Sequence, residues 1–316
     1  MSKKRTQTPE VEVHLLREGI VESIHQVHAL VCDDRGRVLS FAGHCETASF
    51  IRSSLKPFQA LPVIKSGAFE AFNLSDKDLA IICASHQGTV EQARQVFNIL
   101  WRADVEPNAL QCPIPSGKSS PLQHGCSGKH AGMLAVCQQY GWPLKSYLRH
   151  RSPIQEYILK IVGELLQMPG AEFIGVQDDC GAPTYYMQLS QMATLFAHLS
   201  SGENLHLERM SRAMTHYPEM VAGEGLFDTE LMKVSNGELV SKAGAEGVQC
   251  IGRIGEGMGL AIKSLDGSKR AKYATAIHLL MQMGWITPAM SDSLAEKFIN
   301  LDEHKRLEIV GELTLV

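Results

Sequence analysis

An α+β fold is predicted for this 316-residue chain, and three observations predict it. Strand-like segments gather at the two ends, at 11–16, 25–32 and 38–41 and again at 239–243, 248–254, 259–265 and 307–315. Helix-like segments fill the middle. No repeat or low-complexity linker separates the two kinds. One antiparallel sheet drawn from both chain ends, flanked by helices and carrying a helical subdomain, accounts for all three. The expected organisation is a frayed polar segment at 1–10 and one domain at 11–316, with its helical part at about 89–220.

The elements follow in order. Between the strands at 25–32 and 38–41, Asp33-Asp34-Arg35-Gly36 supplies a turn and so a hairpin. Ser53 or Ser54 opens a helix with Pro57 in its first turn and Leu61, Val63 and Ile64 beyond. Thr89-Val90-Glu91-Gln92 has the form of a capping box, starting a helix that reaches about Ala103. Helices at 127–139 and 152–166 come next, the second with Pro153 at its first position. A strand at 173–176 precedes helices at 188–199 and 206–216. After the glycine-punctuated strands, a helix at 269–283 leads to the last strand.

Composition narrows the function classes. A hydrophobic fraction of 44% supports a substantial core, and the net charge of −4 comes without a long basic run. That argues against nucleic acid or an anionic membrane as the main partner. No apolar stretch approaches the ~20 residues of a membrane span. Met1-Ser2-Lys3-Lys4-Arg5 leads into polar residues and Pro9 instead of an apolar run, so no secretory signal is expected. The eight cysteines, at 32, 45, 83, 112, 126, 137, 180 and 250, form no disulfide framework. Cys32, Cys83 and Cys137 sit in apolar stretches and read as buried hydrophobes. A reducing, cytoplasmic setting is expected.

Chemistry concentrates in a few motifs. In Arg52-Ser53-Ser54-Leu55-Lys56-Pro57-Phe58-Gln59, Ser53 and Lys56 would share one helix face. A neutral lysine can take the proton of a serine nucleophile, although a Ser cap beside a solvated Lys gives the same spacing. Ile81-Ile82-Cys83 breaks into Ala84-Ser85-His86-Gln87-Gly88, an apolar run delivering polar groups. Gly125-Cys126-Ser127-Gly128-Lys129-His130 packs a thiol, an amine and an imidazole into one turn. Asp178-Asp179-Cys180-Gly181-Ala182-Pro183 sets an acid and a thiol at a strand end. Lys263 lies inside an apolar strand, which is costly unless it faces solvent, a partner or a site. On their own these thiols fit a metal site, a redox role or packing.

Together the motifs resemble the rhizobial-type L-asparaginases. The resemblance runs from about Val11 to the segment after Gly267, and Arg-Ser-Ser-x-Lys-Pro-Phe-Gln, Cys-Ser-Gly-Lys-His-Ala-Gly and Cys-Gly-Ala-Pro are its specific parts. It implies a serine β-lactamase/glutaminase-like fold, a homodimer and hydrolysis of L-asparagine. It also implies two Ser/Lys tandems, Ser53 with Lys56 and Ser85 with Lys263, and one zinc ion on Cys126, Lys129 and Cys180. Arg52, Asp178, His130 and Cys250 match further positions that contact substrate. Two positions depart from the pattern: the family has Asn before the first cysteine and Gly between the aspartate and second cysteine, where this chain has Gly125 and Asp179. The extra carboxylate is expected to bear on the metal or on the charge preference of the pocket.

Arg52 and Asp178 suit the two ends of an amino acid, although each could equally sit in an ordinary ion pair. A lysine base must be neutral near pH 7, against an ordinary value of ~10.4. Burial and neighbouring cations both lower it, so an alkaline activity optimum is expected. The rival readings are another serine amidohydrolase, glutaminase or β-lactamase-like, and a non-catalytic amino-acid-binding protein. The β-lactamase class needs Ser-Asp-Asn and Lys-Thr-Gly, and neither occurs in the chain.

Overall fold

Strands from both ends of the chain do meet in one sheet. The computed structural model describes residues 6–316. Its first part runs β1 (Val11–Arg17), β2 (Ile20–Asp33), β3 (Val38–Ala42), β4 (Ala48–Phe50), a 3-10 turn (Arg52–Leu55), α1 (Lys56–Lys65), α2 (Ala68–Ala71), α3 (Asp76–Ile82) and α4 (Val90–Arg102). The middle holds α5 (Ser127–Tyr140), α6 (Pro153–Leu166), β5 (Ile174–Gln177), β6 (Pro183–Gln188), α7 (Leu189–Ser200), α8 (Leu205–His216), α9 (Pro218–Val221) and α10 (Phe227–Val234). The last part is β7 (Leu239–Ala243), β8 (Val248–Arg253), β9 (Met258–Ser264), α11 (Lys269–Gln282), α12 (Pro288–Phe298), β10 (Asn300–Asp302), β11 (Lys305–Val310) and β12 (Thr314–Leu315).

Where one domain is expected, the chain forms two units. The sheet unit comprises the chain up to Ser54, Met187–Glu203 and Glu230–Val316. Among the described residues its nine strands run β10-β11-β1-β2-β9-β8-β7, with β3 joined to β2 and β12 to β3. Neighbours are antiparallel, for example Val13 opposite His25, Ala29 opposite Ile262 and Cys250 opposite Ala261. Strand β2 is buried almost continuously from Ala29 to Asp33, because helices cover the sheet centre. Two glycines let α7 lie directly on it: a Cβ on Gly259 would sit 2.0 Å from the Ala193 carbonyl oxygen, and one on Gly252 would sit 2.6 Å from that of Phe196. Helix α11 packs on the same sheet.

Two expectations for this unit change. Residues 307–315 are not one strand. Gly311, at φ +105°, turns the chain where a Cβ would come within 2.8 Å of the Glu10 carbonyl oxygen. Leu313 is held by Gln282, and β12 departs to pair with β3. Of the segment expected to fray, residues 1–5 lie outside the described residues. The rest is tied down: Thr8 N donates to Gly43 O, Cys45 N to Thr6 O, and Gln7 bridges to His44.

The helical unit comprises Leu55–Tyr186 and Asn204–Thr229, so it begins well before residue 89. The reason lies in α1, which is buried from Lys56 to Ile64 because α5, α6, α8 and α3 surround it. Conversely 189–200 leaves the helical part, since α7 packs on β9, β2 and β8. The capping box is formed as expected, with Thr89 Oγ1 accepting from Gln92 N and Gln92 Oε1 from Thr89 N. The apolar run at Ile81 and Ile82 is the end of α3. Strands β5 and β6 form an antiparallel pair. None of the eight cysteines is in a disulfide, and Cys32, Cys83 and Cys137 are buried as expected. No described helix is long and apolar enough to cross a membrane.

Candidate active site

The first motif straddles a change of helix type. Ser53 lies in the 3-10 turn Arg52–Leu55, and Lys56 is the first residue of α1. The two serines separate by role. Ser54 is fully buried and its hydroxyl donates to the Lys242 carbonyl oxygen at 2.9 Å, while Ser53 stays half-buried. Arg52, just before it, has φ +53°. A non-glycine residue in that left-handed region is strained, and such strain gathers at functional turns.

In the helical unit, Lys56 is 1% exposed. Its Nζ donates to the Ala84 carbonyl oxygen, lies 3.0 Å from Ser85 Oγ and 3.2 Å from the Gly125 carbonyl oxygen. The first two acceptors follow the last turn of α3, where the helix ends and Ser85 N bonds Val221 O. None of these partners is a carboxylate.

Beside it lies the thiol cluster. Cys126 caps α5, Lys129 projects from its first turn, and Cys180 sits in the tight β5–β6 turn at Gly181, φ +88°. Lys129 is 2% exposed and Cys180 1%. Lys129 Nζ donates to Cys180 Sγ at 3.2 Å. The Cys126 thiol is held well below its ordinary value by the hydrogen bond with Cys180, against the opposing push of burial, and Lys56 and Lys129 help. Cys180 is pushed up by that same bond and by burial. The bond thus moves the two thiols in opposite directions, Cys126 down and Cys180 up. For Lys129, burial pushes its pKa down, but Cys180, Cys126 and Asp178 outweigh it and the net shift is upward.

Two sulfurs and an amine in one buried cluster form a donor set that suits zinc. Among the described residues no three His, Cys, Asp or Glu side chains gather about a metal position, so an ion here needs Lys129. Binding would displace that residue's proton. Asp178 is half-buried, with its carboxylate accepting from Asp179 N, while the unexpected carboxylate of Asp179 is exposed. At the other departure, Gly125, a Cβ would come within 2.8 Å of the His86 carbonyl oxygen. Glycine is what the approach of these two backbone segments allows.

Two buried histidines flank the cluster. His86 Nδ1 accepts from Gly88 N at 3.1 Å, so Nε2 carries the proton and donates to Ser127 Oγ at 2.9 Å. Burial, then the Lys56 charge, lowers its pKa to about 3, so it is a neutral bracket between two loops. His130 is fully buried, and burial and Lys129 hold it well below its usual range. Its Nδ1 lies 2.7 Å from Tyr147 Oη. Sequence reasoning missed four contributors: Tyr147, His124, whose Nδ1 accepts from Cys126 N at 3.0 Å, and the Ala84 and Gly125 carbonyls. Only His124 left a signal, two residues before Cys126.

In the sheet unit, Lys263 is half-buried on β9 and its Nζ donates to the carbonyl oxygens of Glu246, at 2.7 Å, and Ser264. Burial lowers its pKa, and Glu246 and Asp266 oppose that shift. Cys250 is fully buried at the centre of β8. Next to Lys263, Asp266 accepts from Ser264 Oγ, Ser268 N and His25 Nδ1, whose Nε2 accepts from Arg270 Nε. Burial pushes the Asp266 carboxyl up, but these hydrogen bonds outweigh it and bring it to about 2. A depressed folded-state pKa contributes stability above the unfolded value of ~3.9 and loses it as pH falls through about 2. Asp266→Asn is therefore expected to destabilise at pH 5 and to cost much less at pH 2. Urea midpoints of both proteins at the two pH values check this, and an equal gap at both would refute it. The carboxylate is half-exposed, so the gap will be small.

The chain belongs to the L-asparaginase II family, which matches it over residues 13–315. No curated protein matches the chain by sequence. Among solved structures, Mglu in its native form is 14% identical with a TM-score of 0.38, covering 82% of this chain and 61% of its own. A putative beta-lactamase from Bacteroides dorei is 11% identical with a TM-score of 0.38, covering 92% of this chain and 93% of its own. A beta-lactamase from Mycobacterium bovis is 10% identical with a TM-score of 0.37, at 86% and 94%. Likenesses this slight carry no argument about activity.

Proposed function

We propose that the protein hydrolyses L-asparagine to L-aspartate and ammonia through an acyl-enzyme. Family membership supports the reaction class. The observation that carries the mechanism is the setting of Lys56. Lys56 Nζ lies against the Ala84 and Gly125 carbonyls and the Ser85 hydroxyl, so a neutral amine there would find two acceptors for its N–H groups and Ser85 beside its lone pair. Such an amine is a base. In this reading Ser53 attacks the side-chain amide carbon and its proton passes to Lys56. The tetrahedral intermediate collapses, the C–N bond breaks and the nitrogen leaves as ammonia after taking a proton relayed by Ser85 and Lys263. Water then cleaves the β-aspartyl ester and restores Ser53.

Arg52 would pair with the substrate α-carboxylate and Asp178 with its α-ammonium, with His130 and Cys250 completing the contacts. Cys126, Lys129 and Cys180 would hold one zinc, whose positive charge would position substrate. A cytoplasmic homodimer belongs to the same reading. A specific observation favours a second assignment of the nucleophile: the Ser85 hydroxyl lies 3.0 Å from Lys56 Nζ, within hydrogen-bonding distance.

Ammonia release from a panel of amides tests the proposal. L-asparagine is expected to turn over far faster than L-glutamine, and nitrocefin not at all. The two amides differ by one methylene, worth only ~1–3 kcal/mol, so selectivity is the finer claim. Comparable rates on both would remove selectivity alone. No ammonia from L-asparagine with folded, zinc-supplemented protein would remove the function.

A further inference from the structure

The fully buried His130 ring has one nitrogen bonded and one not. Nδ1 lies 2.7 Å from Tyr147 Oη, the rings meeting edge to face at 87°. Nε2 is buried and has no hydrogen-bond partner among the described residues. Tyr147 is itself fully buried, and its oxygen accepts from Gln111 N at 2.9 Å. An amide N–H can only donate, so the phenol proton remains to be given away, and among the described residues His130 Nδ1 is the acceptor within its reach. The opposite assignment, with Nδ1–H donating to Tyr147, would strand the phenol proton as well as Nε2. One stranded group is less costly than two.

We propose that Tyr147 is a positioning residue: it fixes His130 as the Nε2–H tautomer and so presents a desolvated donor to an oxygen of the bound amino-acid substrate. The chain supplies the pieces from three places. Tyr147 follows the short turn after α5, His130 sits in the first turns of α5, and Gln111 lies in the loop between α4 and α5. Ser152 Oγ and Gln155 Nε2 both donate to the Tyr147 carbonyl oxygen, at 3.1 and 2.9 Å, which fixes the tyrosine backbone. A donor buried without a partner costs free energy that an oxygen acceptor from a ligand would recover. The acceptor is assigned to the substrate, which rests on the function proposed above. The tautomer does not rest on it.

The test uses full-length, zinc-supplemented protein with 15N-labelled histidine. Long-range proton–nitrogen NMR should show His130 with a protonated Nε2 and a bare Nδ1, and added L-aspartate should shift the Nε2 proton. Tyr147→Phe should yield a mixture of tautomers and raise KM for L-asparagine about tenfold, with kcat changed less. His130→Gln keeps a donor near the Nε2 position without needing the tyrosine. Adding Tyr147→Phe to it should then leave KM unchanged, whereas two independent structural defects would add. A protonated Nδ1 in the wild type, an unaltered tautomer in Tyr147→Phe, or additive costs would overturn the positioning role. An Nε2 proton unmoved by L-aspartate in an active enzyme would overturn the assigned acceptor. Absence of asparagine turnover would strike the proposed function, while the spectra of the free protein would still decide the tautomer, even if Tyr147→Phe failed to fold.

Discussion

Ser53→Ala is expected to lower kcat on L-asparagine roughly a thousandfold or more while leaving the circular dichroism spectrum unchanged. Ser53 is half-buried in a short turn, so loss of its hydroxyl should spare the fold. Lys56→Ala should be comparably inactive, but it also strands the carbonyls of Ala84 and Gly125. A stability loss of about 1–3 kcal/mol is expected with it. Groups that act as one unit are not additive, so the double variant should be little slower than either single one. Near-normal kcat in Ser53→Ala would move the nucleophile to Ser85.

The second large effect concerns the metal. Elemental analysis of the purified protein is expected to find about one zinc per chain, and Cys126→Ala and Cys180→Ala are each expected to lose it. Cys126 is the thiol whose pKa is held well below its ordinary value, and Cys180 is bonded to Lys129. Either deletion leaves at most two protein ligands where zinc ordinarily has three or four. If the ion positions substrate, KM should rise more than kcat falls. A collapse of kcat at unchanged KM would give the ion a direct chemical role, and zinc retained in both variants would remove the site.

Much of this architecture was legible because it is written locally. The Thr89 and Gln92 cap, the hairpin at Asp33 to Gly36 and the Pro153 helix start each depend on a few neighbouring residues. The start of the helical unit did not show, because α1 is helical and buried by virtue of what surrounds it. Ser53, Lys56, Cys126 and Cys180 could be singled out by residue type and spacing. The partners that shape their chemistry could not. Two of the groups on Lys56 are backbone carbonyls, which any residue carries, and Tyr147 reaches His130 from a loop without a motif of its own. The same limit applies to Gly252 and Gly259, which read as strand punctuation and turn out to be where α7 touches the sheet.

Strand β1 lies between β2 and β11, and β2 is completed by β9. During synthesis, translation at ~5–20 residues per second keeps the first strands waiting tens of seconds for partners that lie far along the chain. In the interval the apolar stretch from Val27 to Cys32 has neither β9 beside it nor α7 over it. Its unpaired edge is open to strands of other nascent chains. Productive assembly should thus depend on a holding chaperone. At high expression rates the chief by-product should be aggregates seeded by the amino-terminal hairpin.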